Sequence, residues 1–287
     1  MSIQFCENYA PGVDFLITAD ELLFSAKSEF QRIDVYKSKA FGRFLVVDGY
    51  LMLTEMDEFI YHEMITHVPM AVRPGIKNVL VIGGGDGGTL RELLRYPTIA
   101  HIDLVEIDSM VVDVCREYLP FTACKMNDSR VTIHYEDGLE YVRRFRGAYD
   151  LIVVDSTDPI GPGESLFTTE FYQNCYNALD GDGIMVNQHE SPFYAEDAAA
   201  MIAIHRKVSG VFPVSLLYQA HIPSYPSGHW LFGFASRRLH PVNDHDAAGW
   251  DALGMKLRYY NSGLHTGAFA LPTYVCELLR EAQEPGV

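Results

Sequence analysis

The chain has 287 residues, 48% of them hydrophobic, so it is long enough to bury a large core, or one large and one small domain. A formal net charge of −16 argues against polyanionic partners, so we expect no nucleic acid and no anionic membrane surface to bind. Five scattered cysteines without a CxxC pair predict neither disulfides nor a zinc site. The sequence shows no segment typical of a secretory signal and no apolar run of the ~18 residues that a membrane helix needs, so the expected location is the cytoplasm.

The first predicted unit is a small antiparallel β domain. Residues 14–54 alternate apolar and polar positions, and Asp48-Gly49 has the composition of a hairpin turn. Residues 57–68 then carry apolar side chains at helical spacing, and Pro69 is predicted to end that helix. We therefore place the β domain at residues 1–56 and a catalytic domain at residues 57–287, with residues 57–76 as the connecting helix and linker.

From residue 77 onward, strands and helices alternate. The predicted strands are 77–82, 101–107, 131–136, 149–155 and 183–188, and the helices are 89–96, 109–118, 139–145, 168–179 and 195–209. Most of these strands are continuous apolar runs, which a parallel sheet covered on both faces requires. Residues 214–219 and 230–236 predict an antiparallel pair at one edge. The fold class is therefore α/β, with a doubly wound sheet.

The first strand of this sheet runs into a glycine loop with a carboxylate inside it. The loop reads Gly83-Gly84-Gly85-Asp86-Gly87-Gly88, and a helix follows it. Glycines let the backbone turn sharply and approach a ligand closely, as in nucleotide sites. A loop built for phosphate gains nothing from Asp86, because like charges repel. The expected ligand therefore carries positive charge.

Further acidic residues stand where the next three strands end. Glu106 has the spacing of a residue that holds ribose hydroxyls, and Asp137 with Gly138 suits an adenine amino group. The fourth strand ends in Asp155 and, three residues later, Asp158. Clustered carboxylates are costly unless a cation fills the site, which leaves a metal ion or an organic polyamine as candidates. The strand ends predict an adenosine-type site with a cation beside it.

These motifs together resemble the polyamine aminopropyltransferases, most closely the bacterial spermidine synthases. The similarity spans residues 30–272, and the matching segments are 61–64, 67–69, 83–88, 105–108, 155–162, 166–167 and 223–228. The resemblance implies a methyltransferase-like Rossmann domain after an N-terminal β domain, in a homodimer or homotetramer. It also implies transfer of an aminopropyl group from decarboxylated S-adenosylmethionine to a diamine, with putrescine expected, and neither a prosthetic group nor a metal.

The resemblance assigns expected roles residue by residue. The nucleoside is expected on the glycine loop and on Gln31, Glu106, Asp137, Gly138 and Pro162, while His62, Asp86 and Asp158 contact the amines. An attacking amine must be neutral, so a base is needed, and Asp155 is the candidate, assisted by Tyr61 and Ser156. Tyr225 and Trp230 are candidate aromatic walls for the diamine, and Glu190 is the candidate for its distal amine.

Several alternatives stay open at this stage. The same fold could serve a methyltransferase that uses S-adenosylmethionine to modify a polyamine, although Asp86 and the Asp155/Asp158 pair count against it. The acceptor could be cadaverine, agmatine or a longer amine. A nucleotide or polyamine sensor would need the pocket without a competent base, and an NAD-dependent oxidoreductase is disfavoured because Asp86 would face a pyrophosphate.

Overall fold

The computed structural model describes residues 3–156 and 161–281. Its N-terminal part consists of two antiparallel sheets. A hairpin of β1 (Ile3–Ala10) and β2 (Val13–Ala19) lies beside a sheet of β3 (Glu21–Lys27), β4 (Arg32–Ser38), β5 (Gly42–Val47) and β6 (Tyr50–Thr54). A shared core that includes Phe5, Ile17 and Phe44 joins them. The antiparallel prediction is confirmed, but it missed β1, since the predicted segment began at residue 14. The domain boundary at residue 56 stays a prediction.

A seven-stranded mixed sheet forms the centre of the larger part. Its strands are β7 (Asn78–Gly83), β8 (His101–Val105), β9 (Val131–His134), β10 (Tyr149–Asp155), β11 (Leu179–Gln188), β12 (Val214–His221) and β13 (His229–Ser236). Their order is β12-β13-β11-β10-β7-β8-β9. The strands from β11 to β9 run parallel, and β12 and β13 add an antiparallel edge. The predicted doubly wound α/β class and its edge pair are confirmed.

Helices cover the sheet and connect its strands. They are α1 (Glu58–Val72), α2 (Gly88–Leu93), α3 (Ser109–Tyr118), α4 (Pro120–Ala123), α5 (Gly138–Val142), α6 (Thr169–Ala178), α7 (Ala195–Ser209), α8 (Ala247–Asp251), α9 (Ser262–Ala268) and α10 (Thr273–Glu281). A 3-10 helix spans Gly161–Phe167. Within the described ranges, none of these helices is long and apolar enough to cross a membrane.

Helix α1 corrects one prediction. Pro69 does not end it, because the helix continues to Val72. A proline inside a helix removes one hydrogen bond and costs about 3 kcal/mol in an exposed helix. Here nearly every side chain of α1 is buried, including Met64, Ile65 and Val68 at 0% exposure, so packing on all sides outweighs that cost.

The topology fixes where a ligand can bind. The connections leaving β7 and β10 run to opposite sides of the sheet, so a crevice opens between the carboxyl ends of these two neighbouring strands. The amide of Gly84, just after β7, donates to the carbonyl of Asp155 at the end of β10 over 2.7 Å. The glycine loop and the fourth-strand carboxylate therefore face the same crevice.

Candidate active site

The glycine loop has the close approaches that require glycine. Gly83 and Gly84 have φ of 79° and 68°, and a Cβ on Gly83 would lie 2.2 Å from the carbonyl oxygen of Asp155. A Cβ on Gly85 would lie 2.8 Å from a carboxylate oxygen of Glu106. The loop is therefore pressed between the ends of β8 and β10, and larger residues would push both carboxylates out of the crevice.

Asp86 is held on the inner side of the loop. Its Oδ1 accepts from the amide of Gly88 over 2.9 Å and lies 3.2 Å from Nε2 of His62. The other ring nitrogen of His62 lies 2.6 Å from a carboxylate oxygen of Glu58, one turn earlier in α1. Burial opposes the charged form, but Asp86 and Glu58 together raise the pKa of His62 to about 10. His62 is therefore an imidazolium at neutral pH.

Asp155 is a carboxylate whose proton affinity is increased. One of its oxygens accepts from the hydroxyl of Thr89 over 2.6 Å. Burial and the neighbouring Asp86 raise its pKa, while His62, Thr89 and Tyr61 oppose that rise. Burial also raises the pKa of Tyr61 well above its ordinary value, so this phenol stays protonated beside Asp155. The hydroxyl oxygen of Ser156 is buried and has no partner among the described residues.

The predicted nucleoside residues lie together on the other side of the loop. Glu106 accepts from the amide of Asp108 over 3.0 Å, and burial raises its pKa to about 7. The side-chain amide of Gln31 donates to the carboxylate of Asp108 over 3.1 Å, which fixes this N-terminal residue beside β8. Asp137 caps α5 by accepting from the amide of Leu139 over 2.8 Å.

Gly138 is needed for packing. A Cβ there would lie 2.4 Å from Cγ2 of Ile82 in β7, so glycine lets the start of α5 press against the central strand. That contact also leaves the floor of the cleft, which both residues line, open to a ligand. The sequence interpretation gave glycine here only for the approach of a base, and it did not anticipate this contact.

Aromatic residues from the strand β12–β13 connection and from β13 wall the far end of the cleft. The hydroxyl of Tyr225 donates to the carbonyl of Met52 over 2.6 Å, and its ring meets that of Trp230 edge-on with centroids 4.8 Å apart. Both rings line the cleft. The indole nitrogen of Trp230 is buried and has no partner in the described part of the chain.

The position of Glu190 differs from the expectation that this residue binds the distal amine of the diamine. The cleft is lined there by Gln188 and Glu7, whereas Glu190 is not among the described lining residues. Glu190 lies behind the wall, where its carboxylate accepts from the side-chain amide of Gln188 over 3.1 Å. Glu190 has a positive φ of 66° just after β11 ends at Gln188. Sequence reasoning missed Gln188 and Glu7.

Two predicted residues cannot be placed. Asp158 lies outside the described residues, and so does the side chain of Pro162.

Glu7 was missed for a definable reason. It occupies an inward position of β1, beside buried Phe5, in an alternating burial pattern. A strand prediction that reached residue 3 would have shown a buried glutamate in that pattern.

The cleft as a whole is strongly acidic. It spans about 1460 Å³ of space, a figure that includes open solvent at its mouth. No lysine or arginine is among its described lining residues, and the acidic ones are Glu7, Asp57, Glu58, Asp86, Glu106, Asp137 and Asp155. Such a lining selects cationic ligands.

One subset of the lining has the spacing of a metal site. Ligand atoms of His62, Asp86 and Asp155 all lie within 4.8 Å of one another. A metal ligand must offer a lone pair, however, and both ring nitrogens of His62 face carboxylates and carry protons. The arrangement therefore favours an organic ammonium over a metal ion.

The fold and the site define a doubly wound α/β protein with a carboxylate-lined cleft at its topological switch point, and the comparisons with known proteins agree. Residues 58–246 match the family model described as the spermine/spermidine synthase domain, and residues 3–55 match the one described as the spermidine synthase tetramerisation domain. The chain belongs to the spermine/spermidine synthase family, as the sequence motifs predicted.

Similar proteins cover nearly the whole chain. A polyamine aminopropyltransferase of Clostridium beijerinckii is 60% identical over 97% of this chain and 98% of its own length. One of Alkaliphilus oremlandii is 60% identical over 99% and 100%. A crystal structure of a spermidine synthase in complex with the transition state analogue AdoDATO aligns with a TM-score of 0.94 at 41% identity, covering 97% of this chain and 95% of the other. The spermidine synthase from Thermotoga maritima aligns with a TM-score of 0.93 at 40% identity, covering 97% and 94%.

Proposed function

We propose that this chain transfers the aminopropyl group of decarboxylated S-adenosylmethionine to putrescine, giving spermidine and 5'-methylthioadenosine. Membership of the spermine/spermidine synthase family and the similarity to polyamine aminopropyltransferases support aminopropyl transfer. The observation that carries the proposal is the position of Asp86, a partly buried carboxylate inside the glycine loop of an acidic cleft.

Charge is the basis for selecting the donor. S-adenosylmethionine carries a carboxylate on the arm that would point at Asp86, and two carboxylates would repel each other there. The decarboxylated arm ends in an ammonium, which can form a charge-assisted hydrogen bond with Asp86. We assign the nucleoside itself to Gln31, Glu106, Asp137 and Gly138.

Asp155 is the proposed general base. A diamine is almost fully protonated at neutral pH, because its amines resemble that of lysine with a pKa of about 10.4. The raised pKa of Asp155 improves its ability to take a proton from the attacking amine. We propose that Tyr61 and the hydroxyl of Ser156, which has no partner among the described residues, hold that amine in line. We propose Asp158 as a second anchor for the same amine, as the family resemblance implies.

The reaction balances without a further reactant. The neutral amine nitrogen attacks the aminopropyl carbon attached to sulfur, a C–N bond forms, and the C–S bond breaks. Its electron pair stays on sulfur, which leaves as the neutral thioether of methylthioadenosine, and the amine proton passes to Asp155. Because the leaving group is neutral, no general acid is required. Positioning of the two reactants in one cleft can supply up to ~7–11 kcal/mol.

The diamine is proposed to lie along the aromatic wall. Tyr225 and Trp230 flank its methylene chain and can form cation–π contacts with its amines. We propose that Gln188 and Glu7, which both line the cleft, receive the distal ammonium. Glu190 supports this end through its hydrogen bond with Gln188. The match of residues 3–55 to a tetramerisation domain supports a homodimer or homotetramer, and we propose a cytoplasmic location.

The first test is a product analysis. Purified protein is incubated with decarboxylated S-adenosylmethionine or with S-adenosylmethionine, each against putrescine, cadaverine, agmatine and spermidine, and products are identified by mass. Spermidine and methylthioadenosine from the decarboxylated donor are expected, with putrescine giving the highest kcat/KM. A methylated amine from S-adenosylmethionine would overturn the proposal, and faster turnover of another amine would replace putrescine as acceptor.

A further inference from the structure

A buried chain of charged groups leads away from the cleft behind His62. The guanidinium of Arg91 in α2 donates to both carboxylate oxygens of Glu58, over 2.8 and 2.9 Å. The carboxylate of Glu58 also contacts Nδ1 of His62, and Nε2 of His62 contacts the carboxylate of Asp86. The order is Arg91, Glu58, His62, Asp86, with alternating charge. Only the last member belongs to the glycine loop.

The surroundings of His62 favour two protons on its ring. A neutral imidazole has one N–H and one lone pair, and a lone pair facing a carboxylate would be repelled. Both ring nitrogens of His62 face carboxylates, at 2.6 Å and 3.2 Å. The residue is 3% exposed, so water cannot replace either partner. His62 is thus a fixed positive charge in a cleft whose other charged lining groups are acidic.

Gly88 holds this ring in place from the other side. A Cβ on Gly88 would lie 2.2–2.4 Å from three atoms of the imidazole, so the ring packs flat against the backbone at the start of α2. The ionisable groups facing His62 are Glu58 and Tyr61 from α1, Asp86 from the loop and Asp155 from β10. Arg91 from α2 stands behind Glu58 and keeps it ionised.

We propose that Glu58, locked by Arg91, is a positioning residue that keeps His62 permanently cationic beside the reacting amine. This inference deepens the proposed function and rests on it for its kinetic consequence. Ligand atoms of His62 and Asp155 lie within 4.8 Å of each other. A cation at that distance lowers the pKa of the attacking amine and also that of Asp155, so at a given pH it favours both the neutral amine that attacks and the ionised carboxylate that takes its proton.

The charge of His62 can be measured without any turnover. Ring nitrogen resonances of His62, assigned with His62→Gln, report both protonation and midpoint. In the wild type we expect both ring nitrogens to stay protonated up to about pH 9. In Glu58→Gln the midpoint should fall by about 1–3 pH units. A wild-type ring that titrates near its ordinary value of 6.5, or an unchanged midpoint in Glu58→Gln, would overturn the proposal.

The kinetic arm compares two buried glutamates of the same helix. In Glu58→Gln, kcat should fall by up to about 10–100-fold at pH values above the lowered midpoint of His62, where the variant ring has lost its charge, and it should match the wild type at lower pH. Glu58→Asp keeps the carboxylate and should restore part of the lost kcat. The matched control is Glu63→Gln, because Glu63 is equally buried and accepts from the backbone amides of Arg258, Tyr259 and Tyr260.

The outcomes separate this proposal from the proposed function. Glu63→Gln should lower the thermal midpoint without changing the pH profile of kcat, so an equal change in both variants would refute a specific role for Glu58. A pH profile that does not change in Glu58→Gln also refutes it. If the wild type transfers no aminopropyl group to any amine, the proposed function fails. The ring titration then still decides whether Glu58 keeps His62 cationic, and if Glu58→Gln does not fold, the titration of the wild-type ring alone decides whether His62 stays cationic.

Discussion

Substituting Asp86 by asparagine removes the charge proposed to select the donor and keeps the shape of the loop. Asp86 accepts from the amide of Gly88 over 2.9 Å, and an asparagine Oδ1 can accept the same bond. It can also remain near Nε2 of His62, at 3.2 Å. The loop backbone should therefore be preserved in Asp86→Asn, and the missing negative charge is the main difference.

The size of the effect follows from the bond that is lost. A hydrogen bond to a charged group is worth about 1.5–3 kcal/mol, which corresponds to about a 10–150-fold change in an equilibrium or rate ratio. The Asp86 side chain is 12% exposed, so water restores little of that loss. We expect kcat/KM for decarboxylated S-adenosylmethionine to fall by about that factor in Asp86→Asn.

The assay compares two ligands, the donor, which carries the aminopropyl ammonium, and methylthioadenosine, which does not. Steady-state kinetics give kcat/KM for the donor, and calorimetry gives Kd for methylthioadenosine, which lacks the aminopropyl amine. The Kd of methylthioadenosine should change little. Asp246→Asn is a matched control, because Asp246 caps the amide of Gly249 over 2.9 Å and does not line the cleft. An equal loss for both ligands in Asp86→Asn would refute selection by charge.

Three further predictions concern single residues. Asp155→Asn should lower kcat by about 10²–10⁴-fold while methylthioadenosine still binds by calorimetry; near-normal turnover would remove its role as base. Gly88→Ala should lower the free energy of unfolding, measured in urea, by about 1–3 kcal/mol, because the added Cβ would meet the ring of His62. Gly75→Ala is the control, because a Cβ there has open space, and an equal effect in both variants would contradict the contact with His62. Burial opposes the charge of Glu92, yet a histidine and two arginines hold its pKa at about 2 against an ordinary 4.5. Its ionised form thus contributes about 3 kcal/mol to the free energy of unfolding above pH 4.5, and this contribution is lost as the pH falls toward 2. The loss of stability in Glu92→Gln, measured by urea unfolding, should therefore become smaller in acid, and a loss that stays constant with pH would contradict this.

Much of the site could be predicted because it depends on local sequence. Asp86, Glu106 and Asp155 each follow a recognisable apolar strand, and parallel strands bring their carboxyl ends to one edge. The structure places these three residues around one cleft. The glycine loop was equally readable, since its positive φ values and close approaches permit few other residues.

The remainder depends on packing between distant segments. Glu7 reaches the cleft only because the β1–β2 hairpin folds over β6, where its carboxylate accepts from the amide of Leu51 over 3.0 Å. The helix through Pro69 survives because it is buried on all sides, which no local pattern reveals. The pair of Glu58 and Arg91 joins residues 33 positions apart on two helices. Spacing within one element cannot predict such contacts.

The acidic lining does not present equal charges to a ligand. Most of its carboxylates are already satisfied by donors of the protein: Glu7 by an amide of β6, Asp57 by Ser224 and Thr54, Glu58 by Arg91 and His62, Glu106 by the amide of Asp108, and Asp137 by the start of α5. Asp155 receives the neutral hydroxyl of Thr89, and Asp86 shares one oxygen between a backbone amide and His62. Asp86 and Asp155 also lie close enough together for the charge of Asp86 to raise the pKa of Asp155. An ammonium group placed between these two carboxylates would relieve that repulsion, which explains why the donor arm and the attacking amine should meet there.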